Sequence, residues 1–212
     1  MKTTVLQPNF FPFKGYFDII KKVDKVVFSD DSFYNNKSWV DKTIIKKDNQ
    51  KFIFKIPTVS HFESEPLSDI TIVSQNWKKN FLKVVGTQYQ NSINFDKVFP
   101  MIKEVVYLPI DSVSMISAYS VFRTSELLGY NVKFSLASIS HKNIRGSFRN
   151  KIIEICKREK SNQFYTFAMY RETFDSHFFI KNNINISYYS SSDSNNYSII
   201  DYMMNDHQLF KK

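Results

Sequence analysis

The stretch that decides the fold is residues 3–31, TTVLQPNFFPFKGYFDIIKKVDKVVFSDD. Its apolar segments Thr3–Leu6 and Lys25–Ser29 are typical of buried strands, and Tyr16–Lys22 between them carries apolar residues at helical spacing. A strand, a helix and a second strand in so short a segment predict two parallel strands joined by a right-handed crossover. The stretch therefore predicts the start of a parallel α/β sheet.

The rest of the chain continues this pattern. Thr43–Lys46 and Lys51–Pro57 alternate around the turn KDNQ and predict an antiparallel hairpin. The other predicted segments are strands at Ile70–Val73, Val132–Ala137, Phe164–Phe167 and Ile184–Tyr189 and helices at Trp77–Tyr89, Met115–Leu128, Ile144–Lys160, Tyr170–Lys181 and Ser198–Met204. They predict a single domain over residues 1–212, with a mainly parallel Rossmann-like sheet, helices on both faces and a β-hairpin insertion.

Composition narrows the possible functions. Hydrophobic residues make up 42% and aromatic residues 17% of the 212 residues, which favours a folded core. Glycine occurs 4 times, and neither GxGxxG nor GxxxxGK is present, so a glycine-rich phosphate loop is not expected. The single cysteine, Cys156, lies in the helical pattern IIEICKR; we expect it in the core of a cytoplasmic protein.

No cofactor, metal or membrane insertion is predicted. The apolar runs are too short to cross a bilayer. The four histidines do not have the spacing of zinc ligands; they are His61, His141, His177 and His207.

The formal net charge is +9, from 29 Lys and Arg against 20 Asp and Glu. A protein this basic can bind nucleic acid, a membrane surface or a phosphorylated small molecule. The lysines are scattered, however, and together with abundant Asn and Ile they are also typical of an AT-rich genome. With no recognition motif for nucleic acid, the charge does not select a partner.

Polar side chains follow the first two predicted strands. Gln7 and Asn9 come after the first strand, and Asp30 and Asp31 end the second. Because ligands of open parallel sheets bind outside the carboxyl ends of the strands, these residues are candidates for a site. A carboxylate there can act as a general base, accept a hydrogen bond from a sugar hydroxyl or bind a metal. Gln7 and Asn9 are equally compatible with hydrogen bonds to the loop backbone.

Ser38, Trp39, Lys42 and Thr43 follow the aspartates along the chain. An aromatic ring beside a lysine and hydroxyls suits a base or sugar ring and its phosphate. Trp39 is equally suited to the core.

Further candidates for substrate binding follow later strands or lie in the opening motif. Arg145 and Arg149 are predicted to begin the helix after the Val132 strand, where anions are favoured. Tyr170 follows the Phe164 strand in the same way. Tyr16 lies at the end of the first loop.

The chain contains, in order, the segments QPNFFPFKGYFDII, VVFSDDSFY and SWVDKTIIK. On these segments it resembles the WbqC-like family of bacterial proteins, and the resemblance extends from Leu6 to Asn205. The chain differs from the family pattern at three places. Leu6 replaces a histidine, residues 39–43 replace the segment WQNRN, and Asn80 replaces a histidine after the central tryptophan.

The resemblance implies a transferase in the biosynthesis of O-antigen or related surface polysaccharides. The implied reaction is N-acyl or aminoacyl transfer, for example of glycine, to the amino group of a nucleotide-linked amino sugar. In this mechanism Asp30 or Asp31 takes the proton of the amine, while Gln7 and Asn9 orient the acyl carbonyl. The phosphates would be held by Lys42 and Arg149.

The acyl donor is not determined by the sequence. An acyl carrier, coenzyme A, an aminoacyl-tRNA and an ATP-activated amino acid all remain open, and an aminoacyl-tRNA would give the positive charge a role. The alternative function is a non-catalytic accessory protein of the same pathway that binds the nucleotide-sugar. The oligomeric state is also left open.

Overall fold

The parallel start predicted from the sequence is confirmed in the computed structural model. The structure describes residues 1–35, 38–48, 50–59, 65–144, 146–191 and 196–210. The first elements are β1 (Lys2–Leu6), α1 (Lys14–Ile20) and β2 (Lys25–Phe28). β1 and β2 are parallel, and the N–H of Ser29 donates to the carbonyl of Leu6 at 2.9 Å. The two strands therefore end side by side.

The elements of the middle of the chain are β3 (Lys42–Lys47), β4 (Gln50–Lys55), α2 (Asn76–Tyr89), α3 (Phe95–Tyr107) and α4 (Val113–Leu127). Those of the C-terminal third are β5 (Lys133–Leu136), α5 (Ala137–Ser140), α6 (Phe148–Arg158), β6 (Gln163–Phe167), α7 (Ser176–Lys181), β7 (Asn185–Tyr189) and α8 (Ile199–Asn205). Two short 3₁₀ turns lie at Leu67–Asp69 and Ala168–Tyr170. No described helix has the length and apolar character needed to cross a membrane.

Within the described residues, five parallel strands form one sheet in the order β5–β2–β1–β6–β7, and β3 and β4 form a separate antiparallel hairpin. Numbered along the chain, the five strands have the order 3-2-1-4-5, which is the Rossmann order without its sixth strand. The direction of strand addition reverses between β1 and β6. The predicted fold class, a mainly parallel α/β sheet with a hairpin insertion, is confirmed.

Internal contacts divide the chain into two compact units. The sheet unit consists of Met1–Leu6, Gly15–Ser29 and Tyr130–Ser194. The hairpin unit consists of Gln7–Lys14, Asp30–Gly129 and Asn195–Lys212, and it contains the β3–β4 hairpin with α2, α3, α4 and α8. A single domain over residues 1–212 stays a prediction.

Helices cover both faces of the five-stranded sheet. The register places Val5, Val27 and Phe164 on one face, where they form a core with α6 and α7. The helix residues of this core include Ile152, Ile155, Cys156 and Phe179. On the other face, the hydroxyl of Tyr189 donates to Asp18 of α1 at 2.6 Å. Burying each large apolar side chain of this core stabilises the fold by about 1.5–3 kcal/mol.

The hairpin unit is built around an aromatic cluster. Phe10 and Phe11, from the loop after β1, pack against Phe81 of α2 with ring centroids 5.2 and 6.2 Å apart. Phe54 of β4 contacts Phe81 at 4.8 Å, and Trp77 contacts Phe10 at 5.8 Å. The loop is thus anchored to the core of the unit by its two phenylalanines.

Two segments differ from the sequence prediction. No helix was predicted at 95–107, where α3 contains Pro100, yet Val98, Met101 and Val105 are all buried at helical spacing. The predicted strand at Ile70–Val73 forms isolated bridges to Ser112 and Thr58.

The predicted helices after β5 and β6 are shorter in the structure. Gly146 has φ of 109°, which L-residues rarely adopt, and Ser147 caps α6 by accepting a hydrogen bond from Asn150 N–H. Because the cap fixes the start of the helix, α6 begins at Phe148. After β6, α7 begins at Ser176, where the Asp175 side chain caps it.

Candidate functional site

The loop after β1 is held in a strained conformation at Phe11. This residue has φ of 40°, an uncommon value for a bulky L-residue. Its N–H donates to Ser120 Oγ at 3.0 Å, and its carbonyl accepts hydrogen bonds from Thr43 Oγ1 at 2.9 Å and Ser198 Oγ at 2.8 Å. Strain of this kind costs about 1–3 kcal/mol and persists where surrounding contacts hold it, often at functional sites.

Helix α4 provides one of these contacts because its buried face carries small hydroxyl residues. Ser120 Oγ donates to the Ser117 carbonyl at 2.7 Å while it accepts the Phe11 N–H. One turn earlier, Ser117 Oγ donates to the Val40 carbonyl at 2.6 Å. Side chains this small let two loop backbones approach the helix closely, so α4 positions both the loop after β1 and the segment before β3.

Gln7, Asp30, Asp31 and Ser32, here called the acid–amide cluster, directly follow β1 and β2. Gln7 Nε2 donates to Ser32 Oγ at 3.4 Å, which is a long hydrogen bond. The 3₁₀ turn at 67–69 straps the aspartate segment, since Ser68 N–H donates to the Asp30 carbonyl at 2.7 Å. The structure thus brings Gln7 next to the segment that carries the two aspartates.

The two aspartates differ in exposure. The Asp30 side chain is 1% exposed, whereas Asp31 is half-buried. Asn9 is also half-buried; its side-chain oxygen is inaccessible to solvent, and none of the described residues donates a hydrogen bond to it. A buried acceptor in this state is a polar atom with unused hydrogen-bonding capacity.

The four candidates around β3 have different environments. Ser38 and Thr43 are each 2% exposed, and Thr43 is bound to Phe11 as described. Lys42 is half-buried, and its Nζ donates to the Ser38 carbonyl at 3.2 Å. The Trp39 residue is 39% exposed, and its carbonyl accepts the Phe10 N–H at 3.4 Å. A ligand can therefore reach Trp39 and Lys42 more readily than Ser38 or Thr43.

Asp41 is a buried charge that the sequence analysis did not single out. It is fully buried, and its Oδ2 lies 3.4 Å from Lys55 Nζ and 3.5 Å from the Tyr34 hydroxyl. Burial raises the pKa of Tyr34, and the negative charge of Asp41 is the second cause of this increase. The alternation along β3 gives no signal for this pair, because Asp41 precedes the strand and Lys55 ends the neighbouring one.

In the sheet unit, the predicted candidate Arg149 is half-buried and Tyr170 is exposed. The Arg149 guanidinium lies over the Phe178 ring, with Cζ 4.2 Å from the ring centroid. Tyr170 is 40% exposed, and its ring contacts Phe174 at 5.7 Å. Arg145 lies outside the described residues.

Tyr16 and Cys156 are buried in the sheet unit. Tyr16 is 2% exposed, and burial raises the pKa of its hydroxyl well above the ordinary value. The prediction that Cys156 belongs to the core is confirmed, and burial raises the pKa of its thiol to about 12. A thiol in this state is not available as a nucleophile near neutral pH.

Other polar features were not predicted. An open cavity of about 370 Å³ lies between the β3–β4 hairpin and α2, and Lys47, Asn80 and Lys83 are among its lining residues. Within the described ranges, no three or more His, Cys, Asp or Glu side chains are grouped so that they could hold a metal ion.

Comparison with known proteins identifies the family. The model of the WbqC-like protein family matches residues 7–208, which contain the whole acid–amide cluster. The chain belongs to the WbqC-like family. Its resemblance to this family in sequence is thereby confirmed.

One curated relative is the uncharacterized protein Rv1507c of Mycobacterium tuberculosis (strain ATCC 25618 / H37Rv). It is 24% identical over 98 residues, a match that covers 46% of this chain and 42% of that protein. The match thus spans less than half the length of this relative. No solved structure gives a significant match.

Proposed function

We propose that this WbqC-like protein is a transferase that acylates the amino group of a nucleotide-linked amino sugar, in the biosynthesis of O-antigen or a related surface polysaccharide. The acyl group is an N-acyl or aminoacyl group such as glycyl. The observation that carries the proposal is the acid–amide cluster, in which a carboxylate and a carboxamide directly follow two adjacent parallel strands. The pathway is the one that the sequence resemblance to the WbqC-like family implies.

The reaction requires a nucleophilic amine and a carbonyl activated as an ester or thioester. The amine lone pair attacks the carbonyl carbon, a C–N bond forms, and the C–O or C–S bond breaks with its electron pair on the leaving group. A carboxylate takes the proton that the amine loses and passes it to the leaving group. The products are an amide and the protonated leaving group.

Of the two aspartates, Asp31 is the proposed proton acceptor because it is half-buried, whereas Asp30 is 1% exposed. Gln7 is the proposed donor to the acyl oxygen. Its 3.4 Å hydrogen bond to Ser32 is long and therefore weak. A donor at the oxygen stabilises the negative charge that develops there during attack.

Asp30 has a different role in this proposal. Its carbonyl is tied to Ser68, and its side chain is enclosed, so it holds the segment that carries Asp31. Removal of Asp30 is expected to affect stability as well as activity.

The test is product formation measured by mass spectrometry. The full chain is incubated with UDP- and dTDP-linked amino sugars and with acyl-coenzyme A thioesters or aminoacyl-tRNAs as donors. Asp31→Asn is expected to lower the rate about 10²–10⁴-fold because the carboxamide accepts no proton. The matched control is Asp69→Asn, which changes an exposed aspartate of the 3₁₀ turn at 67–69 and should leave the rate unchanged.

Two results would overturn the proposal. An undiminished rate in Asp31→Asn would remove this residue from the mechanism. Binding of the nucleotide-sugar without a product from any donor would favour the alternative, an accessory protein that binds the nucleotide-sugar.

A further inference from the structure

Two arginines of the sheet unit lie over aromatic rings. Arg149 Cζ is 4.2 Å from the Phe178 ring centroid, and Arg171 Cζ is 4.4 Å from that of Tyr188. In the part of the chain that the structure describes, no carboxylate lies within 4 Å of either guanidinium; the arginines paired with carboxylates there are Arg123 and Arg158. Stacking orients a guanidinium without neutralising its charge, so both arginines remain able to bind an anion.

Two exposed aromatic rings belong to the same region. Phe148 is 45% exposed and Tyr170 is 40% exposed. Both pack on Phe174, which is 1% exposed, with ring centroids 5.9 and 5.7 Å away. A common buried ring therefore holds two apolar surfaces in contact with solvent.

Phe174 also connects these rings to the arginines. Its carbonyl accepts a hydrogen bond from the hydroxyl of Tyr188, the residue under Arg171. Its ring contacts Phe179 at 5.9 Å, and Phe179 contacts Phe178, the residue under Arg149, at 6.2 Å. Phe148, Arg149, Tyr170 and Arg171, here called the ring–arginine surface, thus share one framework of aromatic residues whose centre, Phe174 and Phe179, is buried.

The position of the ring–arginine surface in the sheet favours a ligand. Tyr170 ends the 3₁₀ turn that follows β6, and Arg171 comes directly after it, so both residues follow the carboxyl end of that strand. β6 adjoins β1, where the order of the sheet reverses. Open parallel sheets bind their ligands at this switch point, outside the carboxyl ends of the strands.

We infer that the ring–arginine surface binds the nucleoside diphosphate part of a nucleotide-sugar. The base stacks on Phe148 and Tyr170, and the diphosphate lies between Arg149 and Arg171. The N–H groups of a guanidinium match the geometry of phosphate oxygens, and every nucleobase can stack on an aromatic ring. This inference deepens the proposed function, on which the choice of a sugar-linked nucleotide rests.

The number of groups favours a mononucleotide over nucleic acid. Two rings and two guanidiniums correspond to one base and two phosphates. A nucleic-acid strand requires a longer basic groove with a succession of stacking rings.

The test is isothermal titration calorimetry, in which the full chain is titrated with UDP, ADP, GDP, CDP and inorganic pyrophosphate. We expect binding of at least one nucleoside diphosphate, with Kd raised about tenfold or more in Arg149→Gln and in Arg171→Gln. Tyr170→Leu should weaken the binding of the nucleotide but not that of pyrophosphate. Tyr170→Phe keeps the ring and should therefore bind the nucleotide as tightly as the unmodified protein does. The matched control is Arg158→Gln, on the exposed side of α6, which should leave Kd unchanged.

Circular dichroism and the melting temperature of each variant establish that it is folded. Three results would overturn the inference: no binding of any nucleotide at millimolar concentration, binding that the arginine and tyrosine variants leave unchanged, or binding of single-stranded RNA through these residues without any mononucleotide binding.

The same variants separate this inference from the proposed function. If a nucleoside diphosphate binds through Arg149 and Arg171 but no acyl transfer is found, the inference stands and the transferase proposal fails. If transfer depends on Asp31 and is unaffected by the arginine variants, the transferase proposal stands and the inference fails.

Discussion

Removing both hydroxyls that bind the Phe11 carbonyl should destabilise the protein by more than the sum of the two single changes. Thr43 Oγ1 and Ser198 Oγ donate to this oxygen at 2.9 and 2.8 Å, and Phe11 is fully buried. A carbonyl oxygen accepts two hydrogen bonds, so each single variant leaves one donor in place. In the double variant no described residue donates to the oxygen.

The magnitudes follow from the hydrogen bonds. Thr43→Val removes one buried hydrogen bond at similar volume and should cost about 1 kcal/mol. Ser198→Ala should cost about 2 kcal/mol, because Ser198 Oγ also accepts the Ile200 N–H at the start of α8. The double variant adds the desolvation penalty of an unsatisfied carbonyl, so we expect about 4 kcal/mol in total and a coupling energy of at least about 1 kcal/mol.

The assay is urea unfolding followed by tryptophan fluorescence, since both tryptophans, Trp39 and Trp77, belong to the hairpin unit. In a chain of this length, the expected loss corresponds to a melting temperature lowered by about 8–16 °C in the double variant. The matched control is Ser112→Ala, which removes the cap of α4 but no contact with Phe11. Combined with Thr43→Val, it should be additive. Additivity of Thr43→Val with Ser198→Ala within about 0.5 kcal/mol would refute the reasoning.

Three further predictions concern other groups. Burial, opposed by the nearby Glu159 carboxylate, lowers the pKa of His141 below 6.5, so the unfolded chain takes up a proton that the native ring resists. The free energy of unfolding should therefore fall as pH drops below about 6.5, and the fall should be smaller in His141→Gln. The prediction is contradicted if the free energy of unfolding of the two proteins changes equally between pH 7.5 and 5. Burial raises the pKa of the Cys156 thiol to about 12, so Cys156 should react with Ellman's reagent at pH 8 slowly in the native protein and fully in urea. Fast labelling of the native protein would disprove its burial. Arg123→Met removes surface ion pairs with Glu104 and Glu126 and should lower the free energy of unfolding by about 1 kcal/mol or less, and by a smaller amount in 1 M salt. A loss of stability that salt does not reduce would argue against an electrostatic contribution.

Local periodicity carried much of the fold prediction. The segments that form β1, α1 and β2 were predicted from two short apolar runs and a helical apolar pattern between them, and the parallel pairing followed from their short connection. That pairing also placed Gln7 and the two aspartates at one edge of the sheet, and Gln7 is hydrogen-bonded to Ser32, the residue after Asp31. The roles of these residues in catalysis stay predictions.

Helix α3 shows where a local rule was overridden. Pro100 removes a hydrogen bond inside the helix, and no helix was predicted there. Burial of apolar residues such as Val98, Ile102 and Val106 on one face outweighs that loss. Propensity is a weak signal compared with the burial of a full helix face.

By itself, the sequence determined the fold class, the family pattern and the position of the acid–amide cluster after two parallel strands, because these depend on periodicity and on residues close together in the chain. Tertiary structure alone decided how Phe11 is held, since Ser198 is 187 positions away from it. It also decided that Asp41 is buried beside Lys55, and that Phe174 carries two exposed rings. A sequence pattern shows which face of an element is buried, but not which distant hydroxyl, charge or ring that face meets.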